Sequence, residues 1–181
     1  LPEALLLCDV LPTGDYCASM AEAGPGRTIA VLGCGPVGLM AILAARERGT
    51  ERIHAVDSVD ERLARATEFG ASPVDLRHGD PVAIIRADTD GRGADAVLEA
   101  VGSPQAARMA FDLVRPGGII AAVGVHHEAT FPFTPAQAYD RNLTWRIGRC
   151  PARSLMEGLL PLVRRRRRDL AALITHRLAL A

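Results

Sequence analysis

Two short stretches carry residue types at spacings that can do chemistry. Gly33-Cys34-Gly35-Pro36-Val37-Gly38 reads G-x-G-x-x-G. Such a loop binds a pyrophosphate when it leaves a strand and opens a helix. The first glycine makes the tight turn, the second lets backbone approach the phosphates, and the third lets helix and strand pack closely. The free N–H groups and partial positive charge of the helix start then face the anion. Pro36 fits there, because a first-turn N–H has no helical partner to lose. Asp57 follows at about the 20-residue distance at which an acid accepts hydrogen bonds from a ribose. Its charge repels a 2′-phosphate, which favours NAD over NADP. The plainer alternative is a glycine turn kept for packing, with Asp57 as a solvated strand end. The coincidence of loop, following helix and acid weighs against it. A methyltransferase also uses a glycine loop and a ribose-binding acid, and stays a rival.

The second stretch is Leu7-Cys8-Asp9-Val10-Leu11-Pro12-Thr13-Gly14. Zinc accepts carboxylate oxygen or thiolate, and a catalytic zinc takes three protein ligands with one position open. On residue chemistry alone, Asp9 reads more readily as a turn or helix-capping acid, with Cys8 a buried apolar residue.

The elements that must position these residues alternate. Thr28–Leu32 reads as a buried strand, 36–48 as a helix with one apolar face ended by Gly49, and 53–56 as the next strand. A helix over 60–69, a weak strand near Val74 and a helix over 81–87 follow. Then come a strand over 96–101, a helix over 104–114, a Pro116-Gly117-Gly118 turn, a strand over 119–123 and a sixth strand over 143–147. Strands alternating with helices predict an α/β fold with a doubly wound parallel sheet, six strands of the Rossmann type. Residues 1–24 carry an Ala-rich helical run after a Pro-Thr-Gly turn. Residues 151–181 read as a helix from about Ser154, an arginine run and an apolar tail. The division is 1–24, a dinucleotide-binding domain over 25–150, and 151–181.

Composition excludes other classes. The chain has 181 residues, 49% of them hydrophobic, and no net charge. The neutral balance argues against a polyanion binder, so no nucleic-acid partner is expected. All basic residues are arginine, which removes any mechanism built on a lysine of this chain. The four cysteines, Cys8, Cys17, Cys34 and Cys150, have no C-x-x-C spacing. Scattered thiols suit a reducing cytoplasm and argue against a zinc-thiolate cluster. No apolar run is long enough to span a membrane. The chain opens on Leu1, so its true start is expected elsewhere. His126-His127-Glu128 reads as a solvated loop or substrate-side contact, and Arg164 to Arg168 as the polar end of a helix. His176, Trp145 and Tyr139 read as structural or packing residues, and Cys34 as a small buried filler.

With the glycine loop, the Asp9-to-Gly14 segment resembles the zinc-dependent medium-chain alcohol dehydrogenases, in particular a branch of formaldehyde dehydrogenases with Asp before Leu-Pro-Thr-Gly. The resemblance implies a cofactor domain inserted between pieces of a split, GroES-like catalytic domain. It puts Asp9 in the place of the last protein ligand of the catalytic zinc, four residues before Thr13, with Thr13 near the nicotinamide. It implies NAD contacts at Gly33, Gly35, Pro36, Val37, Gly38, Asp57 and Arg62. Ala100 and Val101 then stand beside the adenine, Val123, Gly124 and Val125 beside the nicotinamide, and Gly148 in the carboxamide turn. Ile174 to Leu178 resembles the return to the catalytic domain. The implied activity is hydride transfer between an alcohol or aldehyde substrate and NAD, in a cytoplasmic homodimer or homotetramer. The remaining zinc ligands and the proton relay belong to segments outside this chain. The rivals are a zinc-free quinone or enoyl reductase, an S-adenosylmethionine-dependent methyltransferase and a non-catalytic NAD-binding module.

Overall fold

Continuous apolar runs fix the centre of the molecule. In the computed structural model, which describes residues 2–176 and 178–179, β1 (Thr28–Leu32) is buried throughout and β2 (Arg52–Asp57) at every residue after Arg52. That is the pattern of strands covered on both faces. With β3 (Ser72–Asp75), β4 (Ala94–Glu99), β5 (Val114–Ala122) and β6 (Thr144–Ile147) they form one six-stranded sheet, ordered β3-β2-β1-β4-β5-β6. Every pairing is parallel. The order reverses between β1 and β4, and there the C-terminal strand ends diverge to leave a crevice.

The predicted helices close the faces: α2 (Pro36–Glu47), α3 (Asp60–Glu68), α4 (Pro81–Ala87), α5 (Pro104–Leu113) and α7 (Ala152–Arg165). α4 and α5 start with capping acceptors, Asp80 and Ser103, each followed by proline at the first helical position. Two apolar cores result, one per face. The first joins α2 to the flanking pieces through Leu6, Leu11, Leu159 and Leu170; the second packs α5 and Phe111 on β4 and β5.

Several expectations are corrected. Pro12-Thr13-Gly14 is no turn before a helix but lies inside α1 (Val10–Met20). Pro12 is tolerated because first-turn N–H groups have no helical acceptor. Gly14 is buried, and a Cβ there would meet Ala41 N and Met40 C at 2.5 Å, so α1 lies directly on the backbone of α2. Pro116-Gly117-Gly118 is absorbed into β5 as an irregularity: pairing jumps from Ala94–Val114 to Ala96–Ile119. β4 ends at Glu99, leaving Ala100 and Val101 beyond the strand. The 3₁₀ helix Pro2–Cys8, α6 (Pro135–Asp140) and the short α8 (Arg167–Ala171) are additional. α6 has a reciprocal capping box between Thr134 and Gln137. Tyr139, expected to pack, is 84% exposed, and Cys8 is exposed rather than buried. His176 is exposed too, and Arg177 of the expected return segment lies outside the described residues. No helix among them is long and apolar enough to cross a membrane.

Candidate functional site

The glycine loop is held almost wholly by backbone. Gly33 has φ +83°, a left-handed conformation that glycine adopts without strain. Its N–H donates to Val56 O at 2.9 Å. A Cβ on Gly33 would meet the Val101 side chain, and one on Gly38 would overlap Gly33 O. Gly35 differs: nothing lies within 4 Å of the place its Cβ would occupy. The loop is thus closed around its first and third glycines and open at its second, beside the unpaired N–H groups of the first turn of α2. A pyrophosphate fits that opening through backbone alone.

Asp57 is part of the same structure. Its side chain is buried, and Oδ2 accepts from Cys34 N at 2.7 Å. Oδ1 accepts from Ser58 N at 2.7 Å and Val59 N at 3.0 Å. Arg62 stands 3.7 Å from Oδ2. The acid therefore fixes the loop to the end of β2 and keeps spare lone pairs for hydroxyl donors. Burial, then the Asp57 charge, pushes the Cys34 thiol up to about 12 against the opposing charge of Arg62. Cys34 is the inert filler that the sequence suggests.

A hollow of about 540 Å³ lies farther along the crevice. It brings together Asp9, Thr13, Val37, Val123, Gly124, Val125 and Gly148, all expected site residues, with His126 and Cys150. The other expected residues, Gly33, Gly35, Pro36, Gly38, Asp57, Arg62, Ala100 and Val101, are not part of its wall and group around the glycine loop. Asp9 occupies the N-cap position of α1, yet its carboxylate makes no capping bond. Oδ1 instead accepts from Thr13 Oγ1 at 3.0 Å. No ion pair reaches this exposed acid among the described residues, so a carboxylate stands at the rim with coordinating capacity left. The Cys150 thiol lies close by; burial and the charges of Asp9 and Asp15 raise its pKa against a hydrogen bond with Thr13. These donors suit zinc chemically, but among the described residues no group of three or more ligating side chains gathers. The rim fits part of a zinc site.

The sequence reading missed one pair. Glu99, at the end of β4, is fully buried. Its Oε1 accepts from Val101 N at 2.7 Å and Gly102 N at 2.8 Å, and its Oε2 pairs with His126 Nε2 at 2.9 Å. The solvated-loop reading holds for His127 but not for His126. The available signal was an acid and a histidine just beyond two strands that a doubly wound order makes neighbours. Arg164 and Arg165 end α7 as expected, but Arg166 separates the helices and Arg167 and Arg168 open α8; Arg165 and Arg166 hold Glu47 of α2 at 2.9 and 2.8 Å.

Comparison with known proteins agrees with this geometry. The sequence profile of the zinc-binding dehydrogenase family matches residues 36–165. Zinc-type alcohol dehydrogenase B of Aspergillus flavus is 39% identical over 175 residues, 92% of this chain and 40% of that protein. The NADP-dependent isopropanol dehydrogenase of Thermoanaerobacter brockii is 36% identical over 181 residues, 97% of this chain and 51% of that protein. In structure, alcohol dehydrogenase TADH from Thermus sp. ATN1 superposes with a TM-score of 0.90 at 37% identity, covering 96% of this chain and 52% of that one. The chain therefore spans about half the length of the relatives it matches.

Proposed function

Because the chain belongs to the zinc-binding dehydrogenase family, we propose that it is the cofactor-binding part of an NAD-dependent, zinc-containing alcohol or aldehyde dehydrogenase. The observation that carries the reading is the glycine loop, closed at Gly33 and Gly38, open at Gly35 and tied to a buried Asp57. In this reading the pyrophosphate rests on the N–H groups at the start of α2. Asp57 and Arg62 take the adenosine ribose, and Asp57 disfavours a 2′-phosphate. Ala100 and Val101 flank the adenine. Val123, Gly124, Val125 and Gly148 form the wall against which the nicotinamide lies. Thr13 keeps the Asp9 carboxylate facing the same hollow, where Asp9 supplies one oxygen ligand to zinc.

Held in part by Asp9, a zinc ion would supply Lewis acidity toward the oxygen of an alcohol substrate. The role of this chain is placement: it holds the ring, excludes water from one side and sets Asp9 at the rim. The division into 1–24, 25–150 and 151–181 belongs to the same proposal, the outer pieces being parts of a split catalytic domain. β6 is an edge strand, and a homodimer or homotetramer built on that edge, in the cytoplasm, completes it.

Titration of the protein with NADH, NADPH and S-adenosylmethionine tests the reading. NADH is expected to bind with enhanced fluorescence and more tightly than NADPH. Binding of the methyl donor alone would refute it, and a preference for NADPH would refute the NAD assignment. Zinc retained in full by Asp9→Ala would remove Asp9 from the ligand set.

A further inference from the structure

Glu99 is a carboxylate with no solvent exposure, at the crevice end of β4, and no arginine pairs with it among the described residues. A buried acid is tolerated only when its oxygens are satisfied. Here they are satisfied by two separate segments. Oε1 holds the N–H groups of Val101 and Gly102, the turn after β4. Oε2 holds the His126 ring, in the segment after β5. The two segments also touch without side chains between them: a Cβ on Gly102 would meet Val125 N and O at 2.5 Å, and one on Gly124 would meet Glu99 Oε2 at 2.7 Å. Residues 123–134 have no regular hydrogen-bonded structure of their own. Val123 N and Gly124 N donate to Glu99 O at 3.0 and 3.1 Å, and beyond them the path of the segment is set by this contact, by the Glu99 carboxylate and by ring contacts with Trp145.

We infer that Glu99 and His126 form a positioning pair that fixes residues 123–125 against the β4 turn, so that His126 governs how the nicotinamide half of the cofactor is held and leaves the adenosine half untouched. The inference rests on the NAD reading of the cleft. His126 lines the hollow of Asp9, Val123 and Val125, whereas the glycine loop and Asp57 are held by bonds without it and Val101, on the adenine side, is held by the other oxygen of Glu99. The pairing uses Nε2, which a glutamine amide reaches over a comparable number of bonds from the backbone. Charge is not required of the substitute, only a donor at that place.

The test compares NADH with ADP-ribose, which lacks the nicotinamide, in the whole protein and in its His126→Ala and His126→Gln variants. Loss of one charge-assisted hydrogen bond is expected to weaken NADH binding about tenfold in His126→Ala. ADP-ribose affinity is expected to stay within about twofold, since Glu99 Oε1 still holds Val101 and Gly102 beside the adenine when His126 is replaced. His126→Gln is expected to restore most of the loss for NADH. Three results overturn the inference: His126→Ala binding NADH like the parent, both ligands weakening together, or His126→Gln failing to rescue. If the unsubstituted protein binds neither ligand, the NAD reading itself has failed, and the inference with it.

Discussion

At the glycine loop, contacts run from backbone to backbone or from backbone to Asp57; at the Asp9 rim, they run between side chains. Gly33 and Gly38 leave no space for a side chain, and the Cys34 N–H is fixed by Asp57. Asp9 and Thr13 are joined there by a side-chain hydrogen bond with Cys150 close by, and no group of three or more ligating side chains forms among the described residues. One end is held by backbone geometry, and the other, in the proposed reading, contributes one ligand to a metal site. Damage to the first should therefore appear in folding and cofactor affinity, and damage to the second in metal content and turnover.

The sharpest separation comes from Asp9→Asn in the whole protein. If Asp9 ligates zinc as proposed, replacing its carboxylate by a neutral amide is expected to lower kcat/KM by about three orders of magnitude, the equivalent of several kcal/mol of transition-state stabilisation. Melting temperature and NADH affinity should hold, and metal analysis with turnover measurements reads the split. A fall in NADH affinity equal to the fall in turnover would merge the two regions. Gly38→Ala should do the reverse. Its methyl overlaps Gly33 O, and overpacking of this kind costs roughly 3 kcal/mol, visible in urea denaturation. Gly35→Ala probes the same loop at its open position. Stability should change by less than about 0.5 kcal/mol, while NADH binding weakens about tenfold because the methyl enters the phosphate approach. The smallest effect is chemical. With its pKa pushed to about 12, Cys34 is ionised in roughly one molecule in 10⁴ at pH 8. Iodoacetamide at pH 8 should label exposed Cys8 first and spare Cys34 and Cys17 until denaturant is added, as peptide mass mapping would show.

The legible parts of the molecule are those whose determinants are close together in the chain. Loop, helix and acid from Thr28 to Asp57 form one βαβ unit, so composition and spacing suffice. α4 could be read to its ends because Asp80 and Pro81 mark its start. Pro116-Gly117-Gly118 shows the limit: the dipeptides signal a turn, but pairing with β4 on both sides carries the chain through as a strand. Pro12-Thr13-Gly14 misleads in the same way, since burial of Gly14 against α2 overrides the turn signal. α6 was hidden by its brevity although its capping residues were in view. The Glu99–His126 pair spans two strands, and only the register of β4 against β5 brings it together. Tyr139 reads as a packing residue, but its exposure depends on α6, which the sequence does not predict, and on which side of that helix the sheet occupies.

The backbone contact at Gly14 has a mechanical consequence. α1 carries Thr13 and begins directly after Asp9, and it rests on α2, whose first turn forms the phosphate cradle. Close-packed helices with no side chain between them transmit displacement rather than absorb it. Asp9 and the start of α2 are therefore coupled through one rigid pair of helices. In the proposed reading, that pair would keep a metal ligand and a pyrophosphate at a fixed spacing, and any bending would fall in segments outside it.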